Sequence, residues 1–146
     1  MDVTDCRIIE ILQDNGRISM KDLGKMVGLT SPAVSERVKR LEEMGVIEGY
    51  KAIINPFKLN INVKAFIDVA MAAEKYQRFL KYAVENNSII ECHHVTGGDC
   101  VTLKVIAQNM EELEKLIDEI KMFGNTRTSI VLSSPFANKP IYPCNL

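Results

Sequence analysis

The hydrophobic periodicity of the chain changes near Asn55-Pro56, and this change constrains the fold more than any other feature. Up to Gly45, apolar residues recur at the three- and four-residue spacing of amphipathic helices. Beyond Pro56, alternating stretches and helical stretches follow one another. A chain of 146 residues is long enough for two small domains. We therefore predict a first domain over residues 1–54, a linker over 55–62 and a second domain over 63–146.

Three short helices are predicted before Gly45, and the first is expected to have its cap at Thr4 or Asp5. Asn15-Gly16, Gly28 and Gly45 end them, because glycine tolerates the left-handed conformation found at helix C-termini. Residues 46–54 are rich in β-branched residues and are predicted as a strand. The helical apolar stripes are Ile8, Ile9 and Leu12, then Met20, Leu23, Met26 and Val27, then Val34, Val38 and Leu41.

The second and third helices are joined by Val27-Gly28-Leu29-Thr30, a short turn that contains glycine. Such a turn is typical of a helix-turn-helix motif, in which the helix after the turn reads the major groove. On a helical wheel of about 100° per residue, the side opposite Val34 and Leu41 is polar. The residues expected to lie nearest the bases are Ser31, Pro32, Ser35, Glu36 and Lys39.

The charge distribution supports contact with an anion, although the whole chain carries only −1. Six basic and two acidic residues lie between Arg17 and Arg40, so this window carries +4 between acidic flanks. The same pattern also suits a solvated helical surface, and a three-helix unit used only for packing stays open as an alternative. The predicted DNA-binding set is Arg17, Ser19, Lys21, Lys25, Thr30, Ser31, Pro32, Ser35, Glu36, Arg37, Lys39 and Arg40, with the arginines and lysines nearest the phosphates.

The second domain is predicted to follow the order β-α-β-β-α-β, the ferredoxin-like arrangement. Strands are expected at 63–71, 89–96, 100–107 and 126–134, with helical stripes from Tyr76 to Val84 and from Met110 to Ile120. The strands carry more apolar residues than one helix-covered face usually needs, so we expect the open face to meet a second copy of the chain. The residues that carry this expectation are Val63, Ile67, Val69, Val101, Leu103, Val105, Ile130 and Leu132.

Two stretches of the first domain resemble the Lrp/AsnC, or feast/famine, transcriptional regulators. They are Asp5-x-x-Ile8-Ile9-x-x-Leu12-x-x-Asn15-Gly16-Arg17-Ile18-Ser19 and Leu23-Gly24-x-x-Val27-Gly28-Leu29-Thr30-x-Pro32-x-Val34-x-Glu36-Arg37-Val38-x-Arg40-Leu41-Glu42-x-x-Gly45-Val46-Ile47. The resemblance continues through the second domain. The expected fold class is therefore α+β, with an N-terminal winged helix-turn-helix domain and a C-terminal ferredoxin-like βαββαβ domain.

The resemblance implies a sequence-specific regulator that binds double-stranded DNA. It also implies an effector-sensing and oligomerisation domain, dimers that assemble into octamers or similar oligomers, and modulation by an amino acid or other small metabolite. The implied effector residues are Gly97, Gly98, Asp99 and Cys100 in the loop after the second strand, with Thr126 and Thr128 on the last strand. The family often has an acidic residue at the position of Cys100, so this chain departs from the pattern there.

Other classes of function have weaker signals. Cys92, His94 and Cys100 suggest a metal- or redox-responsive regulator, because Zn²⁺ accepts both residue types. A ligand-binding module without direct DNA readout is the other alternative. No Ser/His/Asp set, P-loop or GxGxxG motif is present, so we predict neither an enzyme nor a cofactor. The acidic N-terminus lacks a signal-peptide pattern, which favours the cytoplasm, no membrane partner and reduced cysteines.

Overall fold

The structure is a computed structural model that describes residues 1–97 and 101–143. The chain forms two compact units. The first comprises Met1–Ile53 together with the tail from Phe136 onward, and the second comprises Ile54–Pro135. No helix within the described residues is long and apolar enough to cross a membrane.

The first unit contains the three predicted helices: α1 (Val3–Asp14), α2 (Met20–Val27) and α3 (Ser31–Glu43). Their apolar stripes meet in one buried cluster, which confirms the predicted helix-turn-helix arrangement. The cluster consists of Ile8, Ile11, Leu12, Leu23, Val34, Val38 and Leu41.

Helix α1 begins earlier than the sequence suggested. Asp2 is the N-cap, and its side chain accepts a hydrogen bond from the Asp5 amide at 2.9 Å. The Asp5 side chain accepts in return from the Asp2 amide at 3.1 Å, which completes a capping box. The cap predicted at Thr4 or Asp5 is therefore wrong, because a carboxylate three residues upstream can satisfy the free amides of the first turn.

Two glycines shape the turn between α2 and α3. Gly28 adopts φ +71°, the left-handed conformation that ends α2. Gly24 lies where the turn folds back, since the Leu29 amide donates to the Gly24 carbonyl at 2.9 Å. A Cβ built on Gly24 would lie 2.6 Å from the Leu29 carbonyl oxygen, closer than real side chains come. The close approach of α2 and the turn therefore depends on the missing side chain of Gly24.

The strand predicted at residues 46–54 is wrong, because no part of this stretch forms a strand in the structure. The Val46 and Ile47 amides both bond to the Leu41 carbonyl, at 2.9 and 3.2 Å, and so close the C-terminus of α3. Ile53 is 87% exposed. β-Branched residues favour a strand only where a neighbouring strand pairs with them, and this stretch has no such neighbour among the described residues.

The second unit has the predicted βαββαβ order. Its elements are β1 (Val63–Met71), α4 (Ala73–Glu85), β2 (Ile89–His94), β3 (Val101–Ala107), α5 (Met110–Lys121) and β4 (Gly124–Ile130). All strand pairs are antiparallel, in the order β2-β3-β1-β4. This arrangement confirms the ferredoxin-like prediction. A 3-10 turn, Pro56–Leu59, lies in the predicted linker.

Strand β4 begins at Gly124, where the sequence suggested a break. A Cβ at Gly124 would collide with the Ala70 carbonyl oxygen of β1, so glycine is needed for the two strands to pair. The strand ends at Ile130, four residues earlier than predicted.

The two faces of the sheet differ from the expectation. The strands were expected to carry more apolar residues than one helix-covered face can bury. Most of those residues lie together under α4 and α5. They are Ile67, Val69, Val101, Leu103 and Val105, each fully buried. Of the others, Ile130 and Leu132 are exposed. The apolar excess was therefore an overcount, because β1 and β3 are the central strands and send alternate side chains to the same helix-covered face.

The outer face of the sheet is largely polar. Asp68 on β1 accepts from Thr102 at 2.7 Å and from Arg127 at 2.9 Å. Lys104 on β3 donates to Glu91 at 2.7 Å. These cross-strand pairs replace the continuous apolar surface that the sequence suggested.

The tail clusters with the first unit. Ile141 pairs with the Gln13 side chain of α1: its amide donates to Oε1 and its carbonyl accepts from Nε2, both at 2.8 Å. A side-chain amide can imitate a backbone peptide in this way, and so it can hold a proline-rich segment that cannot extend a sheet.

The cysteines are not uniformly reduced. Cys6 on α1 is disulfide-bonded, so the expected thiol is wrong at this position. Cys92 on β2 is a free thiol, and burial raises its pKa.

We predict that Gly24→Ala destabilises the first unit. The added methyl group would overlap the Leu29 carbonyl and push the turn away from α2, at a cost of about 1–3 kcal/mol. Thermal unfolding followed by circular dichroism measures the effect. Lys21→Ala, an exposed change in the same helix, is the control and should stay within about 0.5 kcal/mol of the wild type. An unchanged melting temperature for Gly24→Ala would show that the turn can adapt.

Candidate nucleic-acid interface

Helix α3 has one buried and one exposed face. Val34, Val38 and Leu41 pack into the core. Pro32, Glu36 and Lys39 are exposed on the opposite side, as the helical wheel predicted. Ser31 and Ser35 are half-buried at the border of this face. The exposed face carries hydroxyl, carboxylate and ammonium groups, the groups that form hydrogen bonds with base edges.

The start of α3 presents polar groups as well. Thr30 is the N-cap residue by position, but its side chain makes no capping hydrogen bond and is exposed. The Ser35 hydroxyl donates to the Ser31 carbonyl at 2.8 Å, which still leaves its oxygen able to accept.

The start of α2 contains a local charge cluster. The Ser19 hydroxyl accepts from the Asp22 amide at 3.1 Å and donates to the Asp22 carboxylate at 2.7 Å, so Ser19 is first of all a helix cap. Lys25 pairs with Asp22 at 3.0 Å. The Ser19 hydroxyl and then Lys25 lower the pKa of Asp22, which keeps this carboxylate charged. Arg17 and Lys21 are exposed beside the cluster.

Arg37 and Arg40 face α1 and contact a buried carboxylate. Asp5 is only 1% exposed, and it is the one buried polar or charged residue among those the structure describes. One Asp5 oxygen accepts from Arg37 at 2.7 Å, and the other accepts from Arg40 at 2.9 Å. Arg37 also contacts the Asp2 carboxylate at 2.8 Å. The structure thus places both arginines in ion pairs within the unit.

The charges in this cluster stabilise one another. Burial on its own would raise the pKa of Asp5, but hydrogen bonds from Arg37 and from the Asp2 amide outweigh it, and the pKa is lowered. The Asp5 amide and then Arg37 lower the pKa of Asp2. The Asp2 and Asp5 carboxylates raise the pKa of Arg37. All three groups are therefore ionised at neutral pH.

Sequence reasoning missed the role of Asp5. It treated Asp5 as a helix cap and assigned Arg37 and Arg40 to phosphates from their charge alone. The signal that could have found the cluster is the pair Asp2-x-x-Asp5, the spacing of a capping box, because the second carboxylate of such a box turns back toward the helix start.

The predicted effector residues are only partly described. Gly97 follows β2 with φ +123°, which favours glycine. Gly98, Asp99 and Cys100 lie outside the described residues. Thr126 and Thr128 are half-buried on β4, the opposite edge of the sheet from β2. Thr126 pairs with Val69 of β1, and Val69 pairs on its other side with Val101, the first residue of β3.

A small cavity of about 210 Å³ lies at the end of β2, lined by Met71, Ala72, Ala73, Tyr76 and His94. The Tyr76 and His94 rings are 5.1 Å apart between centroids. The lining of this cavity is mostly apolar, with the Tyr76 and His94 rings on one side.

The residues of the metal alternative are only partly described, since Cys100 is not. Cys92 and His94 both lie on the helix side of β2, where they pair with Leu103 and Val101 of β3. Within residues 1–97 and 101–143, no three His, Cys, Asp or Glu side chains come together as metal ligands.

Family comparisons cover most of the chain. Residues 1–48 match the family model described as winged helix-turn-helix DNA-binding. Residues 64–141 match the model of the Lrp/AsnC ligand binding domain.

Individual relatives agree with these matches. The chain is 42% identical to the HTH-type transcriptional regulator YezC of Bacillus subtilis, over 92% of this chain and 95% of the relative. It is 35% identical to the leucine-responsive regulatory protein of Haemophilus influenzae, over 90% of this chain and 84% of the relative. The solved structure of LrpC from B. subtilis superposes with a TM-score of 0.88 at 31% identity, over 92% of this chain and 96% of LrpC.

We predict that Asp5→Asn destabilises the chain at neutral pH by about 2 kcal/mol, because it leaves Arg37 and Arg40 without their buried carboxylate. The folded-state pKa of Asp5 is lowered. Its contribution is therefore complete above the unfolded carboxyl pKa of about 3.9 and is lost as the pH falls through the folded pKa. The difference in melting temperature between wild type and variant should shrink from about pH 5 to below about pH 3.

The control for this measurement is Asp14→Asn, an exposed change of the same type on the same helix. A pH-independent difference for Asp5→Asn, or an equal loss for Asp14→Asn, would contradict the assignment.

Proposed function

The chain belongs to the Lrp/AsnC family of transcriptional regulators, and on that premise we propose how its residues bind DNA and sense an effector. It is a DNA-binding helix-turn-helix regulator and not an enzyme. The observation that carries the proposal is the division of α3 into a buried apolar face and an exposed polar face. A DNA-binding regulator acts in the compartment that holds the DNA, so we place this function in the cytoplasm.

Sequence readout is assigned to the exposed face of α3. Ser35 and Glu36 supply a hydroxyl and a carboxylate, and a carboxylate accepts a hydrogen bond from the cytosine amino group. Pro32 and Thr30 supply apolar and hydroxyl contacts at the start of the helix. Glu36 repels phosphate and thus favours a base partner over the DNA backbone.

Phosphate contacts are assigned to Lys39 on α3 and to Arg17, Lys21 and Lys25 around the start of α2. Their side chains are exposed. Lys39 pairs with Glu43 at 3.5 Å and Lys25 with Asp22 at 3.0 Å. Exposed ion pairs of this kind contribute little energy, so a phosphate can replace the carboxylate partner.

The active form is a homodimer that assembles into an octamer or a similar oligomer. Supporting this assignment are the family membership and the exposed apolar side chains of the second unit, among them Phe57 and Leu132. An oligomer presents several copies of α3 to one DNA molecule, and the resulting avidity compensates for a weak single unit. Light scattering behind size-exclusion chromatography tests the assembly; a monomer at all concentrations would overturn it.

The effector is an amino acid, bound by the second unit near Gly97, Gly98, Asp99 and Cys100. Two findings support this assignment: the matching family domain is described as ligand binding, and the related H. influenzae protein is named leucine-responsive. Asp99 supplies the negative charge for a ligand amino group that Cys100 cannot supply.

We predict that Lys39→Ala weakens binding to duplex DNA and reduces the slope of log affinity against log salt by about 0.9 per protomer, because one phosphate contact is lost. Fluorescence anisotropy measures both quantities with the duplex upstream of the protein's own gene and with a scrambled duplex. Tighter binding to the first duplex is expected for the wild type.

Lys115→Ala is the matched control for Lys39→Ala. Lys115 is 68% exposed and pairs with a glutamate four residues away, and Lys39 is 69% exposed with the same kind of partner. Lys115 lies on α5, outside the helix-turn-helix. If both variants changed the salt slope equally, the assignment of Lys39 to a phosphate contact would be wrong.

We also predict that one or more free amino acids change the affinity for the upstream duplex by about 5–150-fold, the usual range for coupling between two sites. The anisotropy assay repeated with each amino acid detects the change. Asp99→Asn should abolish the response while leaving the affinity without effector unaltered. If Asp99→Asn still responds to the amino acid, a residue other than Asp99 contacts the amino group of the effector.

A further inference from the structure

We propose that Asp5 limits how strongly the first unit binds DNA of any sequence, because it holds Arg37 and Arg40 away from the phosphate backbone. The proposal rests on the proposed DNA-binding function of α3. The proposal gives Asp5 a role in DNA binding without contact to DNA: Asp5 sets how many positively charged side chains of α3 are available to phosphates.

Asp5 can hold both arginines because of where it lies. Its carboxylate is 1% exposed, and its two oxygens take one arginine each, at 2.7 and 2.9 Å. One of these oxygens also accepts from the Asp2 amide. Both oxygens therefore accept hydrogen bonds in a buried place, where charge-assisted hydrogen bonds are strong.

The two arginines would otherwise be close enough to reach DNA. They lie three residues apart on α3, on the flank between its buried and exposed faces. Arg40 directly follows Lys39 and keeps 53% of its side chain exposed even while it contacts Asp5. An arginine side chain is long and flexible, so the flank of a groove-bound helix is within reach of phosphates.

An approaching phosphate cannot readily take these arginines from Asp5. Removing them would leave the buried Asp5 carboxylate charge with only the Asp2 amide as a donor, which is strongly unfavourable. The exposed pair of Lys39 and Glu43 has no such penalty, since both groups regain water when they separate. Helix α3 therefore carries two kinds of cation. Arg37 and Arg40 are held by a buried carboxylate, and Lys39 is available to DNA because its partner is exposed.

The consequence concerns affinity and its dependence on salt. Phosphate contacts strengthen binding to every sequence alike, and each one adds about 0.9 to the salt slope. Two more arginines at the DNA backbone would raise the affinity for every duplex and make it more dependent on salt. By holding them, Asp5 keeps this sequence-independent contribution small.

The test compares wild type, Asp5→Asn and the triple variant Asp5→Asn/Arg37→Gln/Arg40→Gln on the upstream duplex and on a scrambled duplex, with anisotropy across a salt series. For Asp5→Asn we expect tighter binding to the scrambled duplex and a slope steeper by about 0.9–1.8 per protomer. Between about 200 and about 50 mM salt, that slope adds a further threefold to twelvefold gain in affinity. The triple variant should lose this gain.

Two controls separate this effect from net charge and from damage to the fold. Asp14→Asn removes the same charge from the same helix and should leave the slope at the wild-type value. Circular dichroism reports whether Asp5→Asn is folded at the assay temperature. If it is not, Arg40→Gln takes its place, because Asp5 then keeps Arg37 and the Asp2 amide as donors. Arg40 makes no phosphate contact while Asp5 holds it, so the slope of Arg40→Gln should equal that of the wild type, and a decrease of about 0.9 would contradict the proposal.

Two results would overturn the proposal. Weaker binding of Asp5→Asn to both duplexes in equal proportion, at an unchanged slope, would show a purely structural role. An equal increase in slope for Asp14→Asn would show an effect of net charge. The DNA-binding function has its own test in the wild type: if the wild type binds no duplex at low salt, the proposed function fails and this inference fails with it.

Discussion

The Asp5 carboxylate joins the first turn of α1 to the middle of α3, and the DNA-binding unit is organised around this contact. The apolar core fixes which side of α3 faces inward, but apolar contacts are non-directional and allow small rotations of a helix. Hydrogen bonds from Arg37 and Arg40 to one carboxylate restrict that rotation, since both guanidinium groups must meet it at once. The capping box fixes the carboxylate in turn, because Asp5 also closes the start of α1.

The second unit is stabilised differently. Its central strands β1 and β3 bury aliphatic side chains under two helices, and cross-strand polar pairs cover the other face of the sheet. The pairing of Asp68 with Thr102 and Arg127 spans three neighbouring strands. A second copy that packed on this face would have to accommodate these charges. The polar open face of the sheet therefore does not by itself support an oligomer, and the family membership is the main support for assembly.

The sequence predicted the elements of this chain better than their contacts. Spacing of apolar residues was sufficient for the helices and for the βαββαβ order, because burial of one face imposes that spacing. It failed at residues 46–54, where β-propensity is high but no neighbouring strand supplies the hydrogen bonds. It also did not indicate that Arg37 and Arg40 pair with Asp5. A helical wheel gives the direction of a side chain but not its partner, and Asp5 is more than thirty residues away along the chain.

Only part of the positive charge of the helix-turn-helix window is available to DNA, because some of it is paired within the unit. The net charge between Arg17 and Arg40 is +4, but Arg37 and Arg40 pair with acidic residues outside that window. The basic side chains of the window that are then left for the DNA backbone are Arg17, Lys21, Lys25 and Lys39. If the chain assembles as proposed, several units reach one DNA molecule together, and avidity compensates for the few phosphate contacts of each unit. On the same proposal, a small molecule that alters the assembly controls DNA binding without contacting α3, and this dependence couples the second unit to the first.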